Sequence, residues 1–116
     1  MAAPYQVDFY TNNRGQHPIE EYLATLDDKE IDAVMWTISL LAAAGPILTE
    51  PHCKKLQGHH DLWELRVRHW RRHFRVFYTR TDERRYVLLH IFQKDRHALR
   101  SEDIDIAARR LKTLIQ

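Results

Sequence analysis

The chain has 116 residues and a mass of 13.9 kDa, enough for residues 1–116 to form one domain that buries a core without disulfides or metal. Hydrophobic residues at 44% exclude wholesale disorder, no apolar run approaches the ~18–20 residues of a membrane span, and MAAPYQVDFY has neither basic nor apolar leader character. The net charge of +2 hides a polarity: residues 1–51 hold two basic and eight acidic groups, residues 52–116 sixteen basic and eight acidic, with seven of the eight histidines.

In chain order, Tyr5–Tyr10 alternates and is aromatic, as a first strand would, and Asn12-Asn13-Arg14-Gly15 ends it as a turn. Pro18 suits the first turn of a helix carrying Ile19, Tyr22, Leu23 and Leu26. Asp27 followed by Glu30 predicts a capping box opening a second helix. Its apolar stripe is Ile31, Val34, Met35, Ile38, Leu41 and Ala42, with Trp36 to one side; Gly45-Pro46 stops it. Residues 46–60 read as a connection holding the lone Cys53, which excludes an internal disulfide and fits a reducing cytoplasm. Three β-rich segments follow, Leu62–His69, Phe74–Arg80 and Tyr86–Lys94, joined by two short polar turns. In the first, Trp63, Leu65 and Val67 face one way, and Glu64, Arg66 and Arg68 the other. The third is apolar on both faces, as a central strand would be, with His90 hydrogen-bonded inside it. Ser101 is a candidate N-cap for a closing helix whose inner face is Ile104, Ala107, Ala108, Leu111 and Ile115. The predicted order is therefore β-α-α-β-β-β-α. This is an α+β architecture in which helices pack on one face of a twisted antiparallel sheet and the other face carries an arginine row.

Arg66, Arg68, Arg71, Arg72 and Arg75 lie within ten residues that contain no acid. Outward positions on paired strands stand roughly 5 Å apart, so Arg66 and Arg75 are placed to converge on one phosphate. Lys54 and Lys55 enter just before the sheet and Lys94 leaves it. A basic cleft between that loop, the open sheet face and the last helix follows, and with it an anionic partner. Arg71, Arg72, Arg84 and Arg85 are expected to be solvated or paired with Glu64, Asp82 or Glu83. The histidines complete no zinc spacing, so neither metal nor cofactor is expected; His69, His73 and His97 suit proton transfer better. Tyr78 alternates with Val76 and is expected to be buried rather than to stack on a base.

Four pieces occur together here: Lys55-Leu56-Gln57-Gly58, Glu64-Leu65-Arg66, Phe74-Arg75-Val76-Phe77-Tyr78 and Phe92-Gln93-Lys94, before an Ala-containing closing helix. In this combination the chain resembles the HigB-type toxins of the RelE/ParE superfamily, including phage-derived members, over roughly residues 18–112. The resemblance implies a RelE-like fold and a cytoplasmic endoribonuclease that cuts mRNA on the translating ribosome without metal. It also implies a cognate antitoxin of helix-turn-helix type, with operator DNA reached only through the toxin–antitoxin complex, and no membrane partner. By motif, Arg66 and Arg75 clamp phosphate. Lys55 matches a basic position of the family and is expected to contact RNA; Lys54, Arg68, His73, Arg96 and His97 are expected RNA contacts from their place in the basic segment, without a family match. Lys94 is a candidate base, since crowded cations favour a neutral amine, and His73 or His97 is its rival as acid or base. After Lys94 the family continues with further lysines and a Thr-Pro, where this chain has Asp95 to Arg100. A gyrase-directed, non-enzymatic toxin of the ParE kind and an inactive nucleic-acid-binding remnant are the alternatives.

Overall fold

A computed structural model describes residues 3–94 and 101–114. Its elements are β1 (Gln6–Phe9), α1 (Pro18–Leu23), α2 (Asp28–Ala44), β2 (Cys53–Lys55), β3 (Trp63–His69), β4 (Arg72–Asp82), β5 (Arg85–Lys94) and α3 (Ser101–Leu114), with a 3-10 turn over Gly45–Ile47. The strands form one twisted five-stranded sheet in the order β1-β5-β4-β3-β2, and α1 and α2 pack on one of its faces, a mixed α+β arrangement that fits the RelE-like fold.

Local chemistry sets the helices. Pro18 stands at the start of α1, where its missing N–H costs nothing. At α2 the Asp27 carboxylate accepts from the Glu30 N–H at 2.8 Å, and Glu30 Oε1 accepts from the Asp27 N–H at 3.0 Å, closing the predicted capping box. Gly45 ends the helix at φ 55°, and a Cβ there would strike the Tyr5 ring. Val34, Ile38 and Leu41 bury against Leu65, Val67, Phe74 and Val76 of the sheet, while Met35 is exposed rather than part of the inner stripe. Each fully buried Leu, Val or Phe in this layer contributes on the order of 2 kcal/mol. Asp28–Ile47 also reaches the length and mean hydropathy, 20 residues and 1.3, at which a helix can cross a membrane. The average conceals the charges of its first turn, and its apolar stripe is used by the sheet, as in a core helix.

Three features depart from the sequence expectation. The segment read as a connection contains β2, which pairs antiparallel with β3 and places Cys53 opposite Leu65. The first strand runs parallel to β5, so the sheet is mixed rather than wholly antiparallel. The β3–β4 turn shrinks to Trp70 and Arg71, because His69 pairs with Arg72. Trp70 takes φ 57°, a left-handed conformation that costs a non-glycine residue about 1–2 kcal/mol.

On the face away from α1 and α2, the alternate side chains of β4 and β5 meet α3. Phe77, Leu89 and Phe92 pack with Ala107, and Ile104, Ala108 and Leu111 join them. His90 Nε2 and Asp103 Oδ1 are 2.8 Å apart at that contact, so the histidine predicted inside the strand ties β5 to α3. The sheet face beyond α3 is left to charged side chains. Ile115 lies outside the described residues.

Candidate active site: a cationic cleft around a buried carboxylate

Strand register alone assembles the site. Arg66 on β3 is the direct partner of Arg75 on β4, and Arg75 in turn faces Phe92 on β5. One rung towards the turn, Arg68 faces His73, which faces Lys94. One rung the other way, Lys54 on β2 faces Glu64, which faces Phe77. Period-two alternation turns these residues to the same side as the arginine row.

Lys54, Lys55, Arg66, Arg75 and Lys94 line one cleft of about 440 Å³, together with Gln57, Glu64 and Ile104 of α3. The loop, sheet face and last helix bound it as expected. Lys55 stands over the Trp63 ring, 5.3 Å from its centroid, at the rim. Lys54 is exposed and lies 4.0 Å from Glu50. Arg68 and His73 occupy the next rung; Arg96 and His97 lie outside the described residues. Tyr78 is buried between Trp63 and Tyr86, away from the cleft. A larger depression of about 700 Å³ lies beside Tyr5 and the β4–β5 turn, but Arg80 and Arg84 are matched there by Asp82 and Glu83.

The centre of the cleft is Glu64, which the sequence offered only as a partner for surface arginines. It is 5% exposed. Its Oε1 accepts from Arg66 Nε at 2.8 Å and stands 3.8 Å from Arg75 Nε. Among the described residues, neither Glu64 Oε2 nor Arg75 Nε has a hydrogen-bond partner, although both are buried. Burial pulls the Arg75 guanidinium below its ordinary pKa; Glu64 opposes that, while Arg66 and Arg68 add to it. One carboxylate therefore faces one desolvated cation, Arg75, and one part-exposed cation, Arg66, with donor capacity left unused. Such a centre gains free energy when an anion enters. A strand-parity reading finds Glu64 as the sole acid on a face of arginines, which is the signal by which it was legible.

The expected surface role of Arg72 is corrected in one respect. Its partner is Glu30 on α2, at 2.7 Å, not an acid of the meander.

A family model described as Phage derived protein Gp49-like (DUF891) matches residues 21–112, while no curated protein matches the chain significantly. That span includes every element from α2 through β5 and nearly all of α3. The chain belongs to this family, which is toxin-like and of the RelE/HigB type, and membership implies an antitoxin partner in general terms.

Proposed function

We propose that this Gp49-like chain acts as one domain, the toxin of a type II toxin–antitoxin pair, and that it is a metal-independent endoribonuclease cutting mRNA on the ribosome. The observation carrying this reading is the meeting of Arg66, Arg75 and Lys94 with two further lysines in a single cleft. In the reaction, the ribose 2′-oxygen attacks the adjacent phosphorus, the bond to the 5′-oxygen breaks, and a 2′,3′-cyclic phosphate and a 5′-hydroxyl result. The chemistry needs a proton acceptor for the 2′-hydroxyl, cations for the dianionic phosphorane and a proton donor for the leaving oxygen.

Arg66 and Arg75 are assigned to the phosphorane oxygens. Glu64 hydrogen-bonds Arg66 and lies 3.8 Å from Arg75, so its charge keeps both guanidinium groups beside the site where charge develops. Lys94 is the base candidate. His73, its cross-strand neighbour, is the candidate for the other proton. Lys54, Lys55 and Arg68 hold flanking phosphates. The cognate antitoxin, a helix-turn-helix protein, neutralises the toxin, and operator DNA is reached through that complex.

The test is induction in cells with primer extension on a reporter mRNA. Discrete cuts that vanish in Arg75→Ala support the reading. Growth arrest with intact mRNA, or full toxicity of Arg75→Ala, would sink it and favour a gyrase-type target.

A further inference from the structure

The β3–β4 turn carries a residue that neither stability nor the cleft requires. Trp70 is 88% exposed, and it occupies a left-handed backbone position in a two-residue hairpin turn. Glycine or asparagine satisfies such a turn without strain and without placing an indole in water. A position that violates both backbone preference and burial marks a function-bearing site.

Its surroundings indicate what the indole meets. Arg71 completes the turn and is exposed, and His69 and Arg72 form the rung below. The next rung is Arg68, His73 and Lys94, and Arg66 with Arg75 lies two pairs of residues further on. Four residue steps separate Trp70 from Arg66, about 13 Å at the usual rise per residue. A polyanion leaving the cleft along this ladder passes a row of cations and reaches a bare aromatic face. Cationic and imidazole neighbours suit a polyanion with flat bases better than an apolar protein patch.

We propose that Trp70 is a stacking platform for an unpaired nucleobase of the RNA strand whose scissile phosphate occupies the Arg66–Arg75 cleft, with Arg71 beside it on the backbone. This rests on the ribonuclease reading above. Every base has a π-face, so the platform adds affinity and register without choosing a sequence.

The test uses the full chain and a 2′-O-methyl oligoribonucleotide, which cannot be cleaved, offered free and as the message on programmed ribosomes. Binding to the wild type quenches indole emission, and Trp70→Gly binds about tenfold more weakly. Trp70→Phe retains most of the affinity. Glycine is at ease at this φ, so Trp70→Gly melts at or above the wild-type temperature and weaker binding is not a folding defect. If Trp70→Gly binds as tightly as wild type while Arg75→Ala binds weakly, the platform is refuted and the ribonuclease cleft stands. Unchanged RNA binding with lost binding to the cognate antitoxin assigns the indole to a protein contact and overturns the proposal. Absence of RNA binding by the wild type in both presentations overturns platform and ribonuclease reading together.

Discussion

Glu30 and Glu64 are both almost wholly buried, and each meets an arginine at hydrogen-bonding distance, yet the regions around them are completed differently. At Glu30 one oxygen accepts from the Asp27 backbone and the other from Arg72, whose side chain is largely exposed. Both oxygens have a partner and the cation stays in water. At Glu64 one oxygen faces two arginines, the other has no partner among the described residues, and the Arg75 side chain is almost as buried as the carboxylate. An unpaired buried polar group costs about 1–3 kcal/mol. The α2 entry is thus a finished structural joint, whereas the cleft holds back hydrogen-bonding capacity and excess positive charge. That difference separates an ion pair closed on its own partners from one with room for a further anionic partner, as the proposed reading requires.

The largest effect is expected at Arg75. Arg75→Ala should cut mRNA cleavage about a hundredfold or more, the usual loss when one preorganised donor to a developing oxyanion is removed. Circular dichroism and Tm should stay close to wild type, because the truncation also removes the cost of a buried, half-satisfied cation. A collapse in Tm would mean that the cleft is structural in the same sense as the Glu30 joint. Next comes Glu64→Gln, which leaves Arg66 and Arg75 facing each other without a counter-charge. A loss of about 2 kcal/mol is expected, read as a fall in Tm of roughly 10 °C, and added phosphate should restore part of it. An unchanged Tm would show that the carboxylate contributes nothing to holding the arginines.

What was legible in the sequence follows the same division. The Asp27–Glu30 box, the Val34–Ile38–Leu41 stripe and the hairpin alternation are short-range patterns, and each is written within a dozen residues. Arg66 and Arg75 were legible as partners because a tight turn fixes antiparallel register. The pairing of Arg72 with Glu30 was not, since it spans 42 residues and depends on how α2 lies across the sheet. The parallel docking of β1 on β5 is likewise a long-range pairing, and β2, though it pairs close in sequence, has only three residues and leaves no periodic trace. Glu64 was misjudged for a related reason. Parity gave its direction, but only the crossing of β2, β3 and β4 gives its burial.

The smaller effects sharpen the other half of the comparison. Asp27→Ala removes an N-cap and should cost about 1 kcal/mol by urea unfolding while leaving RNA cleavage at its wild-type rate. A loss of cleavage would couple the α2 entry to the cleft and blur the distinction between the two regions.

Acid provides the finest test of the joint. The Glu30 carboxyl lies below its ordinary pKa, first because the Asp27 backbone N–H bonds it and then because Arg72 does. A carboxylate whose folded pKa is depressed contributes its full share of stability above the unfolded value of about 4.3 and loses it as the pH falls through the lower folded value. Urea unfolding at intervals from neutral pH into acid should therefore show a wild-type advantage over Glu30→Gln that is constant near neutrality and shrinks below about pH 4. The amide keeps a hydrogen bond to Arg72 but has no charge to lose, so its stability curve should be the flatter of the two in acid. Parallel curves would place the ionic contribution elsewhere in the molecule, and Glu30 would then hold α2 by hydrogen bonding alone.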